Sequence, residues 1–448
     1  MSQPKGFYLL NFASMWECFS YYGLRALLVL FMVKELKLQD NEAYATYALY
    51  ITLTELGGVL GGVLADKLLS LKGAIVIGGW AIFSGHLLLG FSQGELPLFF
   101  LSLGLIIAGT NLFRVNIPAA IGTLYEEGDE AIEKGFTIFY VTMNIGGLLA
   151  MIVCGFLGES YGWHIGFGAA ACGMLLGNIV FIIRGKVMES LSLKTLCYGL
   201  GYIAIAAPAA ALSLCFAQLL APFATLLVGS VFLLMCRKVL GDKALKRLAG
   251  LTLFLILFYG CEELLGSSLV LFTERHVSRM TLFGEIPASM LMMFNPLTIL
   301  LTGTIISRIC IGTLSKIRIS LLFLGVAFTL LYCVAGYESI SFSYAIAGIA
   351  AIAIGELFIG PTIYAESAKI SPKNEKGFTM AIVTLGFTSA NLLSGSFSQL
   401  MTTEQGSTQK SFQDGFGIIA LLVFIALGLS YVFVKGLKSN KLLESCEV

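Results

Sequence analysis

The chain has 448 residues, 57% of them hydrophobic and only 12% charged, with a net charge of +1. Soluble globular chains carry about twice that charged fraction, so the composition is that of an all-α polytopic membrane protein. No polar stretch is long enough to bury a soluble core of its own, and no basic tract offers a surface to nucleic acid.

Apolar runs of spanning length occur near residues 7–32, 44–65, 74–92, 97–122, 135–157 and 163–183, as a closely joined pair within 195–236, and near 248–272, 287–312, 319–336, 342–366, 377–400 and 413–435. That is about fourteen helices arranged as six, two and six. The boundaries this suggests are an N-terminal six-helix bundle over 1–185, an inserted helix pair and basic linker over 186–246, and a C-terminal six-helix bundle with a short tail over 247–448. Paired six-helix blocks are the arrangement of transporters whose halves rock around a central site. The first run is too long for a signal-peptide core and is read as retained. With the N-terminus inside, only Lys34, Lys37, Arg275, Arg279 and Lys410 of the 28 basic residues fall outside, and Arg25 and Arg114 lie at membrane depth. The positive-inside rule therefore puts both termini in the cytoplasm, and helical rather than barrel spans point to the inner membrane.

The first run carries Glu17, Tyr21 and Arg25 four residues apart, a polar ladder down one flank of a helix. Facing lipid it would be costly, so it is expected to face a protein interior or a watery cavity; the alternative is a structural ion pair to a neighbouring helix. The second run holds Glu55 followed by Gly57, Gly58, Gly61 and Gly62, small residues that let another helix come close. Next, Gly62-Val63-Leu64-Ala65-Asp66-Lys67, with Ser70 and Lys72, resembles the loop signature of the major facilitator superfamily, with Ser70 where a glycine is usual. The resemblance implies a short cytoplasmic turn acting as a gating hinge, with Asp66 and Lys67 in a charge clamp.

In the fourth run, Gly109 to Asn116 places Arg114 at membrane depth, either as counter-ion to Glu17 or Glu55 or as a holder of a substrate carboxylate. The acidic loop at Glu126, Glu127, Asp129, Glu130 and Glu133 reads as solvated. The ten cysteines lie mostly in apolar runs without metal-site spacing and read as small buried residues. His86, His164 and His276 occur singly and read as packed or interfacial. No serine–histidine, serine–lysine or metal constellation points to an enzyme, no cofactor is called for, and no repeated filter points to a channel.

The stretch Gly135 to Gly147, with Phe136, Phe139-Tyr140 and Asn144-x-Gly146, resembles the signature of proton-coupled oligopeptide transporters, and Met143 is its one departure. Trp16-Glu17-x-Phe19-x-Tyr21-Tyr22-Gly23-x-Arg25 is similar to that family's first-helix motif. Glu262-Glu263 with Gly266-Ser267-Ser268-Leu269 resembles its seventh-helix carboxylate motif, Glu285 to Ser289 with Asn295-Pro296-Leu297 the start of its eighth helix, and Gly355-Glu356-Leu357-Phe358 with Pro361 its tenth. The resemblance implies a major facilitator fold, a central helix pair as in bacterial members, and uptake of di- and tripeptides by proton symport with alternating access. The bilayer, protons and a small peptide would be its partners, and a monomer would suffice.

A dipeptide is a zwitterion, best gripped by charge at its ends. By resemblance, Arg25 and Arg114 take the peptide carboxylate and Glu263 and Glu356 face the ammonium end. Tyr21, Tyr22, Asn144 and Asn295 complete the hydrogen bonds. The two asparagines could equally join helices, and the two tyrosines could equally be packing. The family pattern breaks at Ser14 and Cys18, where a glutamate and an arginine are usual, at Arg114-Val115 in place of lysine-proline, at Glu55 near a usual tyrosine, and at Leu264 in place of glutamine. Proton coupling would then run through Glu17, Glu55 and Glu263, with Arg114 as a fixed counter-charge. Another small zwitterion or anion, or a facilitator with weakened coupling, is the alternative.

Overall fold

The computed structural model describes residues 3–92, 94–126, 131–185, 191–238, 243–282, 284–370, 376–404 and 406–438. It is helical almost throughout: α1 (Phe7–Lys34), α2 (Asp40–Leu64), α3 (Leu71–Gly90), α4 (Leu96–Phe113), α5 (Asn116–Gly122), α6 (Ala131–Tyr161), α7 (Trp163–Arg184), α8 (Leu193–Cys215) and α9 (Ala217–Lys238) come first. They are followed by α10 (Lys243–Glu262), α11 (Ser268–His276), α12 (Ala288–Leu291), α13 (Phe294–Ile306), α14 (Thr313–Val334), α15 (Phe342–Ile370), α16 (Lys376–Gln399) and α17 (Gln409–Lys438). Two-residue strands pair only at loops, β1 (Val277–Ser278) parallel with β4 (Ile340–Ser341), and β2 (Met280–Thr281) antiparallel with β3 (Gly284–Glu285). Among the described residues, 12 helical stretches are long and apolar enough to cross a membrane, and α9 and α16 occupy the other two runs. Glu127, Asp129 and Glu130 of the acidic loop, residues 239–242 of the basic linker and the tail from 439 lie outside the described residues.

Contacts divide the chain into two compact units. One holds the residues up to Leu220 together with Met280–Leu297; the other holds Ala221–Arg279 and the residues from Thr298 onward. In the first, α1 packs on α6 and α7, α3 on α4 and α7, and α4 on α2 and α8. In the second, α14 packs on α15 and α17, and α10 on α16 and α15. Of the inserted pair, α8 is seated on α4, where a Cβ on Gly104 would lie 2.1 Å from the Ala207 carbonyl oxygen.

Between helices in lipid there is little hydrophobic drive, so close packing at small residues holds a bundle together. The glycines after Glu55 do this against α4. A Cβ on Gly57 would meet the Asn111 amide at 1.8 Å, one on Gly58 the Val115 side chain at 2.7 Å, and one on Gly61 the Asn111 carbonyl oxygen at 1.8 Å. Gly62, expected in the same contact, has nothing within 4 Å. With its side-chain nitrogen turned to α2, Asn111 donates to the Thr54 carbonyl at 3.0 Å. Asn116 reaches the Gly61 carbonyl at 3.4 Å and that of Leu112 at 2.7 Å.

The fourth run is not one helix. It breaks at Arg114–Val115, between α4 and α5. Pro118 has no N–H to give the Arg114 carbonyl and instead fits the first turn of a new helix, so the chain restarts at Asn116. Asp66 and Lys67, expected in a short turn, lie instead on a π-helical extension of α2, Ala65–Leu69. Both are exposed and form no ion pair among the described residues. The turn proper is Ser70, at φ 61 and ψ 157, a backbone region almost reserved for glycine. Its hydroxyl accepts from the Gly73 N–H at 3.3 Å and so caps α3. Of the cysteines expected to be buried, Cys18, Cys154 and Cys261 are; Cys172, Cys197, Cys215, Cys310 and Cys333 are exposed. On a spanning helix an apolar side chain can face lipid as readily as core, and composition does not separate the two.

Gly61→Ala is expected to lower the stability of detergent-purified protein by roughly 1–3 kcal/mol through overpacking against Asn111. Gly62→Ala should leave it unchanged or slightly higher, which paired thermal unfolding curves check. Ser70→Gly relieves strain of about 1 kcal/mol while losing only a few tenths at the cap, so its melting point should rise. Ser70→Ala keeps the strain, loses the cap and should melt lower.

Candidate functional site

The ladder on α1 is turned into the first unit. Glu17, only 2% exposed, accepts a hydrogen bond through Oε1 from Arg114 Nη2 at 3.0 Å, a buried ion pair joining α1 to the end of α4. Its other oxygen, Oε2, is 3.7 Å from the Cys18 thiol, a weak donor. Of the two possible counter-ions for Arg114, the structure selects Glu17. Glu55 is half-buried, and among the described residues it has no hydrogen bond or ion pair within 4 Å.

The Arg114 guanidinium, on a side chain 27% exposed, lies 3.7 Å from the centroid of the Tyr21 ring. Tyr21 in turn stacks on Tyr50 of α2, at 6.5 Å between centroids and 26° between planes. One face of Tyr21 is therefore taken by a cation and its surroundings by another ring, so it serves as a platform for Arg114. About one helical turn beyond Tyr21 on α1, Arg25 donates through Nε and Nη2 to the Tyr47 hydroxyl at 3.0 and 2.8 Å. Its guanidinium carbon lies 5.4, 5.5 and 5.7 Å from the ring centroids of Tyr21, Tyr22 and Tyr47.

The motif on α6 closes the other side of α1. A Cβ on Gly146 would meet the Met15 carbonyl oxygen at 2.4 Å, and one on Gly147 the Tyr22 ring at 3.2 Å, so these glycines seat α6 on either side of Glu17. Phe136 and Phe139 pack on a core cluster that includes Phe7, Leu10 and Phe181. Asn144 donates to the Tyr140 carbonyl of its own helix at 3.0 Å. Asn295 is buried at the start of α13 and belongs to the first unit, in the segment Met280–Leu297. Further along α6, the Glu159 carboxylate accepts from the N–H groups of Ala288 at 3.2 Å and Ser289 at 2.8 Å, tying that segment to the first unit.

Glu263 and Glu356 belong to the second unit. The seventh helical run breaks beside Glu263: α10 ends at Glu262, Glu263–Gly266 form a 3-10 turn, and Ser267 (φ −125, ψ −101) precedes α11. The Ser267 hydroxyl is 3.3 Å from the Glu263 carbonyl and 3.1 Å from the Ser398 hydroxyl of α16. Glu356 is half-buried midway along α15, next to Gly355, where a Cβ would lie 3.0 Å from the Ser320 carbonyl oxygen. At the far end of α15, Glu366 accepts from Arg247 at 3.1 Å and Thr313 at 3.0 Å, fastening three helices of this unit together.

Tyr47, Tyr50, Asn111, Glu159 and Ser398 were not among the residues singled out from sequence. Only the tyrosines left a signal: Tyr44, Tyr47 and Tyr50 recur every third residue and all are fully buried on α2.

An apolar bundle of spanning helices with an ion pair and a second, half-buried arginine in its first unit, and a broken helix bearing a carboxylate in its second, is the build of a membrane transporter with the major facilitator fold. The sequence profile described as the POT family matches residues 72–195 and 216–413, and the chain belongs to that family. It is 31% identical over 417 residues to the uncharacterized transporter YclF of Bacillus subtilis (strain 168), covering 85% of this chain and 84% of that protein. To dipeptide and tripeptide permease A of Proteus mirabilis (strain HI4320) it is 26% identical over 429 residues, covering 90% and 88%. A crystal structure of a POT family transporter in complex with 5-aminolevulinic acid superposes with a TM-score of 0.81 at 25% identity, over 95% of this chain and 96% of that one. A peptide transporter POT in complex with sulfate superposes at 0.84 and 24%, over 96% and 94%, a likeness of fold.

Glu17→Gln leaves Arg114 largely buried without its counter-charge and should cost roughly 2–4 kcal/mol, less than for a fully buried pair because the arginine is partly exposed. Adding Arg114→Met should recover most of the loss. Chemical denaturation of the three proteins in one detergent reads this out; a double variant no more stable than Glu17→Gln alone would show that the pair is not the cause.

Proposed function

We propose that this chain is a secondary active transporter that takes up di- and tripeptides by proton symport, with alternating access of its two halves. The observation that carries the proposal is the pairing of Glu17 with Arg114 beside a second arginine, Arg25, inside the spanning bundle. Guanidiniums suit an anion that arrives with two oxygens, because their N–H groups form a planar fork. The carboxylate end of a peptide is such an anion, with Arg25 and Arg114 receiving it and Tyr22 and Asn144 at hand. Glu263 and Glu356 would take the ammonium end, and Asn295 would add a hydrogen bond. A zwitterion held at both ends favours closure, which is how occupancy drives the cycle.

Arg114 keeps its proton in any protein environment, so the moving proton must ride on carboxylates. Glu17 is paired with the arginine until substrate competes for it. Glu55, without an ion pair among the described residues, is the carboxylate best placed to load a proton, and Glu263 the one in the second unit. Asp66 and Lys67, exposed beside the strained Ser70, would gate, and both termini would face the cytoplasm. The halves that alternate are taken as 1–185 and 247–448, with 186–246 between them.

A second reading has its own support. The departures at Ser14, Cys18 and Arg114 alter the charges of the family pattern, and one similar transporter was solved with 5-aminolevulinic acid, a smaller zwitterion. Thermal stabilisation by dipeptides, free amino acids, 5-aminolevulinic acid and nitrate separates the two, since only a bound ligand raises the melting point.

In proteoliposomes, an inward proton gradient should accelerate dipeptide uptake several-fold over uptake with the gradient collapsed. Glu55→Gln should abolish that acceleration while leaving peptide exchange within about twofold. Uptake indifferent to the gradient would leave facilitated diffusion, and equal loss of uptake and exchange would make Glu55 structural.

A further inference from the structure

Several cations of the second unit are met by carboxylates of the chain itself: Arg247 by Glu366, Arg279 by Glu274 and Lys410 by Asp414. Arg318 is held differently. Among the described residues it forms no ion pair. Its Nε donates to the Ser430 hydroxyl and its Nη2 to the Ser430 carbonyl, each at 3.3 Å, and the guanidinium lies 4.0 Å from the centroid of the Tyr431 ring. One edge and one face of the plane are thus fixed by α17, and Nη1 has no hydrogen bond among the described residues. Ser430 is buried, whereas Tyr431 is exposed.

The place of this pair matters as much as its geometry. Arg318 stands in the second turn of α14, and Tyr431 ends the apolar stretch Gln409–Tyr431 of α17, so both lie at the rim of their spans. Tyrosine and arginine at such a rim sit at the level of phospholipid headgroups. Leu322 and Val326 follow Arg318 at four-residue intervals, which keeps them on the same flank of α14, and both are exposed. Phe424, seven residues before Tyr431, is also exposed, and its ring lies across Gly325, where a Cβ would meet it at 2.9 Å. A cation at the rim with an apolar seam running inward from it has the outline of an amphiphile.

We propose that the α14–α17 seam binds an anionic phospholipid, its phosphate on Arg318 beside Tyr431 and its acyl chains along Leu322, Val326 and Phe424. The phosphate brings the oxygens that a guanidinium plane recognises and a negative charge that the described residues do not supply there. A zwitterionic lipid carries its own ammonium and loses that advantage. Inorganic phosphate has the same oxygens but no chains to bury along the seam, so the lipid is the occupant. The site is independent of what the transporter carries.

Native mass spectrometry of the purified full-length protein tests this, with dioleoyl phosphatidylglycerol, dioleoyl phosphatidylcholine and inorganic phosphate as probes. Wild type should bind its first phosphatidylglycerol about fivefold more tightly than phosphatidylcholine. Arg318→Gln should abolish that preference. Arg318→Lys, which keeps the charge and loses the plane, should reduce it to about twofold and carries the test should the glutamine variant not fold. Arg308→Gln removes an exposed cation just before α14 and should leave the preference within about twofold of wild type. No preference in wild type, or an undiminished preference in the Arg318 variants, would overturn the proposal. So would an equal loss in Arg308→Gln, which would mark diffuse attraction, or displacement of the lipid by inorganic phosphate at equal concentration, which would mark a site for a free anion.

Discussion

A carboxylate and a guanidinium 3.0 Å apart inside a bundle of apolar helices impose more on this structure than any other contact. Neither charge is tolerable alone at that depth, so α1 and the end of α4 must meet at this point and hold. The surrounding architecture serves that requirement. Gly57 and Gly61 let α4 settle on α2 at Asn111, three residues before the arginine, and Pro118 ends the helix so that Arg114 stands at a break. Gly146 and Gly147 bring α6 onto the opposite side of α1, and Tyr21, backed by Tyr50, supports the flat face of the guanidinium. A lysine could not use that platform as well, because its charge is a point and not a plane.

The departures from the family's first-helix pattern make sense in the same terms. Where a second acid and a base are usual, Ser14 and Cys18 are neutral and buried, so the helix carries one charge of each sign fewer in its most apolar part. Cys18 offers its thiol to the remaining oxygen of Glu17, a weak substitute that leaves Arg114 as its one strong partner among the described residues. Phenols also help to orient both arginines: Tyr21 lies beneath Arg114, and Tyr47 accepts from Arg25. Neutral groups orient arginines at a smaller desolvation cost than additional ions would carry.

In the second unit, polar groups gather at interruptions of the helices. The 3-10 turn at Glu263–Gly266 puts a carboxylate where backbone groups are already released from the regular ladder, and the Ser267–Ser398 hydroxyl pair braces the break. Glu366 ties Arg247 and Thr313 at the other end of the same unit. Irregular backbone within a membrane survives only where protein or water satisfies it, which is why these sites carry serines and carboxylates in an otherwise apolar sequence.

Composition, apolar run length and motif order by themselves determined the class of this protein, its helical spans, its family and the residues at membrane depth. Each of these is a property of single segments: a run long enough to cross, a charge too costly to face lipid, a glycine spacing fit for close contact. Pairing between segments could not be read the same way. Glu17 and Glu55 were equal candidates for Arg114 until the folded helices put one of them 3.0 Å away. Gly61 and Gly62 looked alike, although only one faces α4; Tyr47 drew no notice, and Asp66 looked like part of a turn. Which groups touch depends on the rotation and approach of helices far apart in the chain, and those are set by the packing of the whole bundle, so only the tertiary structure decided them.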